Sequence, residues 1–177
     1  MSSESTRRER ERQGREQAIV EAAERVFLER GFEEASMDEI ARRAEFTKRT
    51  IYQYFGSKEE LYFAVVRKGF GAMVDYLEAG SESASDGLGK VRSAFGRLYG
   101  FYRAEPERFV LVSGWSRMRK RDDATGPGVA AIQSASGRLF VGLASALREG
   151  MADGSIRPDL AVEQAVYSLV FMAVGFL

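Results

Sequence analysis

The sequence predicts an all-α protein in two parts, a small N-terminal helical domain followed by a larger helical one. In segment after segment apolar residues recur at the spacing of one helix face, for example over residues 19–27. Helix start and stop signals separate these segments, among them Pro106 at a start and Gly31 at an end. No stretch of useful length alternates apolar and polar residues as a half-buried strand does.

The composition fits a folded protein and argues against most catalytic and metal chemistry. Of the 177 residues, 45% are hydrophobic and 29% charged, which is enough apolar material for a core. The chain has no Cys and no His, so thiol chemistry, disulfides, zinc sites and histidine bases are excluded. We therefore expect no enzyme activity, no metal and no cofactor. The N-terminus is charged rather than apolar, and the uncharged run over residues 164–177 is shorter than the ~20 residues of a membrane span. We expect a cytoplasmic protein with no membrane partner.

The chain divides into three segments. Residues 1–15 are polar and dense in alternating charge, which predicts a flexible arm. Residues 16–62 hold the first helix and two further short helices. Residues 63–177 hold the remaining helices.

Start signals mark three helices in succession after the first helix. Ser36 and Glu39 form a capping box, and Ser57 and Glu60 form another. Thr47 lies between them and is a predicted N-cap. The helix that Ser57 opens continues to a polar loop at residues 80–87.

Four more helices follow, for a total of about eight. Gly and Pro clusters at residues 120–128 and 153–158 provide the longer breaks. The helices are expected around residues 91–102, from Pro106 to Trp115, along residues 132–151 and over residues 160–177.

Residues 36–54 match the layout of a helix-turn-helix, in which two short helices are joined by a three-residue turn. With Ala41 at the small, helix-contacting position, the residues that must be buried are all apolar or aromatic: Ile40, Ala44, Phe46, Ile51 and Tyr54. Glu45 falls in the turn, where a positive φ favours Gly. That geometry would cost Glu45 on the order of 1 kcal/mol.

The second helix of this motif exposes basic and hydroxyl side chains suited to DNA. Lys and Arg can bind phosphates or guanine, Thr methyls can contact thymine, and Tyr hydroxyls can bind phosphates. Ser36 and Lys58 mark helix N-termini, where free amides attract phosphate. The predicted DNA-binding residues are Ser36, Thr47, Lys48, Arg49, Thr50, Tyr52, Tyr54 and Lys58. The alternative is a helical hairpin whose basic face is merely solvated.

The net charge is zero, but over residues 42–58 the charge is locally positive. This segment holds two Lys and three Arg against Glu45 alone, a balance of +4. Attraction to phosphate depends on the facing patch rather than on the whole-molecule sum. A zero net charge is therefore compatible with DNA binding.

Residues 16–66 closely resemble the N-terminal domain of TetR-family transcriptional regulators. The resemblance rests on the 19–27 stripe, on Ser36-Met-Asp-Glu-Ile-Ala, and on Thr50-Ile-Tyr-Gln-Tyr-Phe-Gly-Ser-Lys-Glu-Glu-Leu. It implies that residues 16–62 form a helix-turn-helix DNA-binding domain and residues 63–177 a ligand-binding and dimerisation domain. It also implies a homodimer that reads a palindromic operator, a small-molecule pocket among the C-terminal helices, and repression relieved by the ligand. The chain departs from the family at Glu45–Phe46, where Gly and an aliphatic residue are usual.

A second departure is the end of the chain at Leu177, inside an apolar helix. The family commonly has nine helices, the last two of which form the dimer interface, whereas this sequence predicts eight. We expect either a truncated chain or a dimer that is built differently.

Aromatic and Met side chains in the second part are candidates for contact with a small apolar or aromatic effector. They are Phe95, Tyr99, Tyr102, Trp115, Met118 and Phe140. For each of them, ordinary helix packing is the alternative. The function expected from the sequence is that of a ligand-responsive DNA-binding regulator that acts as a repressor. The rivals are an effector-independent regulator and an activator whose second part only dimerises or docks a protein partner.

Overall fold

The structure, a computed structural model, describes residues 3–79, 84–121 and 127–176, and these residues form eight helices and no strand. The predicted all-α fold class is confirmed. The helices are α1 (Ser3–Glu34), α2 (Met37–Ala44), α3 (Lys48–Tyr54), α4 (Lys58–Ala79), α5 (Gly87–Ala104), α6 (Pro106–Arg121), α7 (Pro127–Asp153) and α8 (Val162–Phe176).

The chain forms two compact units, Met1–Val66 and Arg67–Leu177. The division falls within α4, whose first turns belong to the first unit. The sequence places the division after residue 62. Start signals in a sequence locate the beginning of a helix, whereas the unit boundary depends on what each turn of that helix packs against.

Helix α1 begins at Ser3, where the sequence predicts a flexible arm over residues 1–15. Charge alternation at helical spacing accounts for the difference, because side chains four residues apart lie on the same side of a helix. Arg7 Nε lies 3.0 Å from Glu11 Oε1, and Gln13 Nε2 donates to Glu9 Oε1 at 3.4 Å. Gly31, at φ 73° and ψ 172°, breaks the helical geometry near the end of α1. This break is the stop that the sequence predicts there.

The core of the first unit is built from one face each of α1, α2 and α3 and the start of α4. The apolar stripe of α1 is buried throughout, with Ile19 and Val26 fully inaccessible. Ile40 of α2 and Ile51 of α3 are also fully buried. Three aromatic rings pack against one another in this core. The centroid of Tyr62 lies 5.3 Å from that of Phe27 and 5.0 Å from that of Phe32.

The core of the second unit lies where α5, α7 and α8 meet. Its buried members are Val91, Leu143, Ala146, Leu147 and Val166. The start of α5 is held tightly against the end of α7. The Gly87 amide donates to Asp153 Oδ2 at 2.7 Å, and the Leu88 amide donates to Ser155 Oγ at 3.1 Å. A Cβ atom on Gly87 would lie 2.1 Å from the backbone nitrogen of Gly150.

Candidate nucleic-acid interface

Helix α2 starts at the predicted cap and buries one face. Ser36 Oγ accepts a hydrogen bond from the Glu39 amide at 3.1 Å, which satisfies one of the free amides at the helix start. Met37, Ile40 and Ala41 are buried. Asp38 and Arg42 are exposed on other sides of the helix.

The turn after α2 has the backbone geometry that the sequence predicts. Glu45 lies in the left-handed region, at φ 58° and ψ 33°, and is the sole non-glycine residue with a positive φ in the described chain. The Glu45 amide donates to the Arg42 carbonyl at 3.3 Å, and the Phe46 amide donates to the Ala41 carbonyl at 3.0 Å. Both bonds belong to a Schellman ending, which normally uses Gly. The turn therefore forms despite the strain at Glu45.

Helix α3 is short, capped and anchored by one buried residue. Thr47 Oγ1 accepts from the Thr50 amide at 3.1 Å, which confirms the predicted N-cap. Ile51 is fully inaccessible and fixes one face of the helix in the core. Lys48, Arg49 and Tyr52 are exposed, and 46% of Tyr52 is accessible. This is the face that a reading helix needs.

The predicted pattern of buried residues in the helix-turn-helix is correct at some positions and wrong at others. Ile40 and Ile51 are fully buried, but Ala44, Phe46 and Tyr54 are only half-buried. Phe55, which the register leaves out, is buried at the end of α3. At Phe55 the chain leaves α3 in an extended conformation, with φ −133° and ψ 116°. The burial of Phe55 was not predicted because the template assumes that the helix continues past this residue.

Several of the cations counted in the sequence are already paired. Lys48 Nζ lies 2.7 Å from Asp38 Oδ2 of α2, and Arg43 forms an ion pair with Glu29 of α1. The hydrogen bond with Asp38 raises the pKa of Lys48, and the bond with Glu29 raises the pKa of Arg43. Both cations therefore keep their charge at neutral pH but share it with a carboxylate.

Two cations near the motif have no ion-pair or hydrogen-bond partner within the described chain, Arg42 and Arg49. Both are exposed. Lys58 is half-buried, and its ammonium donates to the backbone carbonyls of Phe32, at the end of α1, and of Ala35, just before α2. The freely available positive charge is thus smaller than the local sum of +4 and is concentrated at the end of α2 and on α3.

The predicted DNA-binding residues are brought together in part. Thr47, Lys48, Arg49, Thr50 and Tyr52 share the start and outer face of α3. Ser36 is exposed at the start of α2, whereas Tyr54 and Lys58 are half-buried. Asp38 and Glu29, the carboxylates that pair with the cations, were not among the residues singled out from the sequence.

The second unit carries an open apolar groove of about 270 Å³ between α5 and α8. Its lining residues are Phe95, Leu169, Met172 and Ala173, all apolar. Phe95 is a predicted ligand contact. The three α8 residues were missed, because an apolar C-terminal helix in a sequence does not reveal which of its residues face a groove.

The other predicted ligand contacts lie elsewhere or outside the described side chains. Tyr102 packs edge-on against Phe109, at a centroid distance of 5.5 Å, and Tyr99 is exposed. Phe140 is half-buried, 5.4 Å from the ring of Tyr167. Trp115 and Met118 belong to α6, but their side chains are outside the described part of the structure.

The capped pair α2–α3 with its three-residue turn is a helix-turn-helix, the motif of a class of DNA-binding proteins. Residues 19–65 match the family described as "Bacterial regulatory proteins, tetR family". The HTH-type transcriptional repressor SCO4008 of Streptomyces coelicolor is 30% identical over 155 residues, which cover 88% of this chain and 74% of the relative. The chain belongs to the TetR family of transcriptional regulators.

The chain is also similar to a second curated relative and to a solved structure. The HTH-type transcriptional activator FasR of Mycolicibacterium smegmatis is 33% identical over 113 residues, 64% of this chain and 49% of FasR. This chain thus spans about half the length of FasR. The crystal structure of AibR in complex with isovaleryl coenzyme A and operator DNA has a TM-score of 0.72 at 23% identity. It covers 90% of this chain and 84% of AibR, and shows that the fold is shared.

Two features are absent from the described residues. None of the helices there has the length and apolar character needed to cross a bilayer. The same residues hold no group of three or more metal-ligating carboxylates.

Proposed function

We propose that the chain is a ligand-responsive repressor that binds a palindromic operator as a homodimer in the cytoplasm and is released by an apolar effector. The observation that carries this proposal is the exposed face of α3. There Arg49 has no partner among the described residues, and Tyr52 projects beside it on a helix anchored by Ile51. A capped, anchored helix with a free guanidinium suits entry into the major groove.

Each predicted contact is assigned a role by its chemistry. Arg49 pairs with guanine or phosphate, and Lys48 does so once it leaves Asp38. The methyl groups of Thr47 and Thr50 suit thymine. The exposed hydroxyl of Tyr52 suits a phosphate, which positions the protein without reading sequence.

Ser36 and Tyr54 complete the proposed phosphate contacts. The oxygen of Ser36 accepts from the Glu39 amide, while its hydroxyl hydrogen can still be donated to a phosphate. Tyr54 is half-buried, so its ring contributes to packing and only its hydroxyl is assigned to DNA.

A dimer is supported by the exposed apolar residues of α8. Tyr167 and Phe171 are exposed, and 74% of Phe171 is accessible. Exposed apolar patches of this kind mark interaction surfaces. A two-fold axis would let two copies of α3 enter successive major grooves about 34 Å apart. Phe171→Glu should shift the protein to monomer in sedimentation velocity, while the dimer proposal fails if the wild-type chain is itself monomeric.

The effector class is suggested by the groove between α5 and α8. Four apolar side chains line it, so the part of the effector that enters must be apolar. AibR, which shares the fold, binds isovaleryl coenzyme A. Acyl thioesters are therefore the first compounds to test. A thioester that binds raises the melting temperature by mass action, and Phe95→Ala should abolish that rise.

Ligand release requires reciprocal linkage between the two sites. If the thioester weakens operator affinity by some factor, operator DNA must weaken thioester affinity by the same factor. Equal thioester affinity for free and DNA-bound protein would remove the release mechanism. It would leave an effector-independent regulator.

Repression is favoured because SCO4008, which aligns with most of the chain, is a repressor by name, although FasR is named as an activator. A reporter fused to the target promoter should rise when the regulator gene is deleted. A fall would assign activation instead.

The proposal as a whole is tested by fluorescence anisotropy on the DNA upstream of the chain's own gene. We expect tight, saturable, salt-sensitive binding at two protomers per site. Tyr52→Phe should weaken it without changing the circular dichroism spectrum. Weak binding that is indifferent to sequence, at that DNA and in a genomic selection, would contradict the proposal.

A further inference from the structure

The ammonium group of Lys58 is saturated by the protein's own backbone. Its Nζ donates to the carbonyls of Phe32 at 2.8 Å, Ala35 at 3.1 Å and Glu33 at 3.3 Å. It also lies 4.4 Å from the centroid of the Phe32 ring. An ammonium group has three N–H donors, so these three carbonyls use all of them.

These carbonyls need a donor because of where they lie. The segment from Phe32 to Ala35 follows the break at Gly31 and precedes Ser36, which caps α2. Carbonyls at a helix end have no partner within the helix, and a cation there is favoured by the helix dipole. Lys58 therefore acts as a C-terminal cap for α1.

The same contact joins the two ends of the helix-turn-helix. The segment from Phe32 to Ala35 leads into α2, whereas Lys58 is the first residue of α4, four residues after α3 ends at Tyr54. The Lys58 side chain thus connects the segment just before α2 to the segment just after α3. Beside it, Phe55 is buried and the rings of Phe32 and Tyr62 pack edge-on.

We propose that Lys58 is a positioning residue that fixes the orientation of α3 and does not contact DNA phosphate. This replaces the expectation, based on its place at a helix N-terminus, that Lys58 binds phosphate. The inference rests on the proposed DNA-binding function. To reach a phosphate, the ammonium would have to leave three carbonyls, and they would lose the partner that caps them.

The salt dependence of operator affinity distinguishes a positioning role of Lys58 from a phosphate contact. Each phosphate contact that is lost flattens the plot of log affinity against log salt by about 0.9 per protomer. Lys58→Met keeps the aliphatic stem and removes the ammonium. We expect it to weaken operator binding about tenfold, as the loss of a charge-assisted hydrogen bond would, with a salt slope equal to that of the wild type. Lys58→Arg should restore most of the affinity, because a guanidinium can still donate to the carbonyls.

Arg49→Met is the matched control, because it removes a free guanidinium from the α3 face that is assigned to DNA. A cation held against DNA displaces counterions whether it contacts a phosphate or a base edge, so Arg49→Met should flatten the plot of log affinity against log salt. The proposal is overturned if Lys58→Met flattens the slope as Arg49→Met does, or if Lys58→Met leaves the affinity unchanged.

Amide hydrogen exchange tests the positioning role without DNA. Lys58→Met should speed exchange in α3 and in residues 32–35 while protection over residues 19–27 stays as in the wild type. A uniform loss of protection across the first unit would mean that Lys58 only stabilises the fold, and would overturn the proposal. If the wild-type protein fails to bind any operator, the proposed function fails, and the exchange pattern still decides the role of Lys58.

Discussion

Replacing Glu45 by Gly should stabilise the protein. Glu45 is held at φ 58° and ψ 33° in the turn between α2 and α3. A side chain in this left-handed region costs about 1–2 kcal/mol, whereas Gly adopts it freely. The substitution also gives the unfolded chain more freedom, which offsets about 0.4–1 kcal/mol of the gain. The expected net gain in the free energy of unfolding is therefore about 0.5–1 kcal/mol.

Little else changes in this substitution. Glu45 is exposed, so its side chain contributes little packing. The hydrogen bonds of the turn use the backbone amides of residues 45 and 46, which Gly retains. For a chain of this length, about 0.5–1 kcal/mol corresponds to a rise of about 1–4 °C in melting temperature. Differential scanning calorimetry can measure that rise.

Two control variants separate backbone strain from charge. Glu45→Ala removes the carboxylate but keeps a Cβ atom, so its melting temperature should stay near that of the wild type. Glu45→Asn should lie between Ala and Gly, because Asn tolerates the left-handed region better than most residues. If the Gly and Ala variants melt at the same temperature, the strain argument is refuted and any gain comes from removing the charge.

Three further outcomes are expected. Asp38→Asn should tighten DNA binding about two- to fivefold, because an exposed ion pair is weak and its loss frees Lys48. In a Lys48→Met background the effect should vanish, and if it persists, Asp38 acts by repelling phosphate. Gly87→Ala should cost about 1–3 kcal/mol of stability by overpacking, since its Cβ would meet the α7 backbone; an unchanged melting temperature contradicts this. Hydrogen bonds from Ser155 and from the Gly87 amide lower the pKa of Asp153. Its contribution to stability is therefore present above the unfolded-state pKa and is lost as pH falls through the lower folded-state pKa. In Asp153→Asn the melting temperature should fall less steeply than in the wild type as the pH is lowered. If it falls equally steeply, other carboxylates dominate the loss of stability in acid.

The sequence predicts local features well because they depend on residues a few positions apart. The hydrogen bonds at Ser36, Thr47 and Ser57 each join a side chain to an amide three residues on. The strained turn at Glu45 follows from the same template. The family assignment depends on such local patterns and on their spacing.

Contacts between distant segments could not be predicted in this way. Lys48 pairs with Asp38 ten residues away, and Lys58 reaches Phe32 across 26 residues. A charge count treats both lysines as available to DNA, because it contains no information about folded neighbours. The groove is a similar case. Phe95 was a candidate by residue type, but Leu169 and Met172 become part of the wall only when α8 packs beside α5.

Helix α3 is proposed to read DNA sequence through Arg49. The most direct test is a selection of preferred sites from random DNA with the wild-type protein, with Arg49→Gln and with Arg92→Gln, which changes an exposed arginine of α5. We expect a palindromic motif whose half-sites are about one helical turn apart. Arg49→Gln should change the preferred bases at one position in both half-sites, and Arg92→Gln should leave the motif unchanged. If no motif is enriched, or if Arg49→Gln selects the same motif as the wild type, α3 does not read DNA sequence through Arg49.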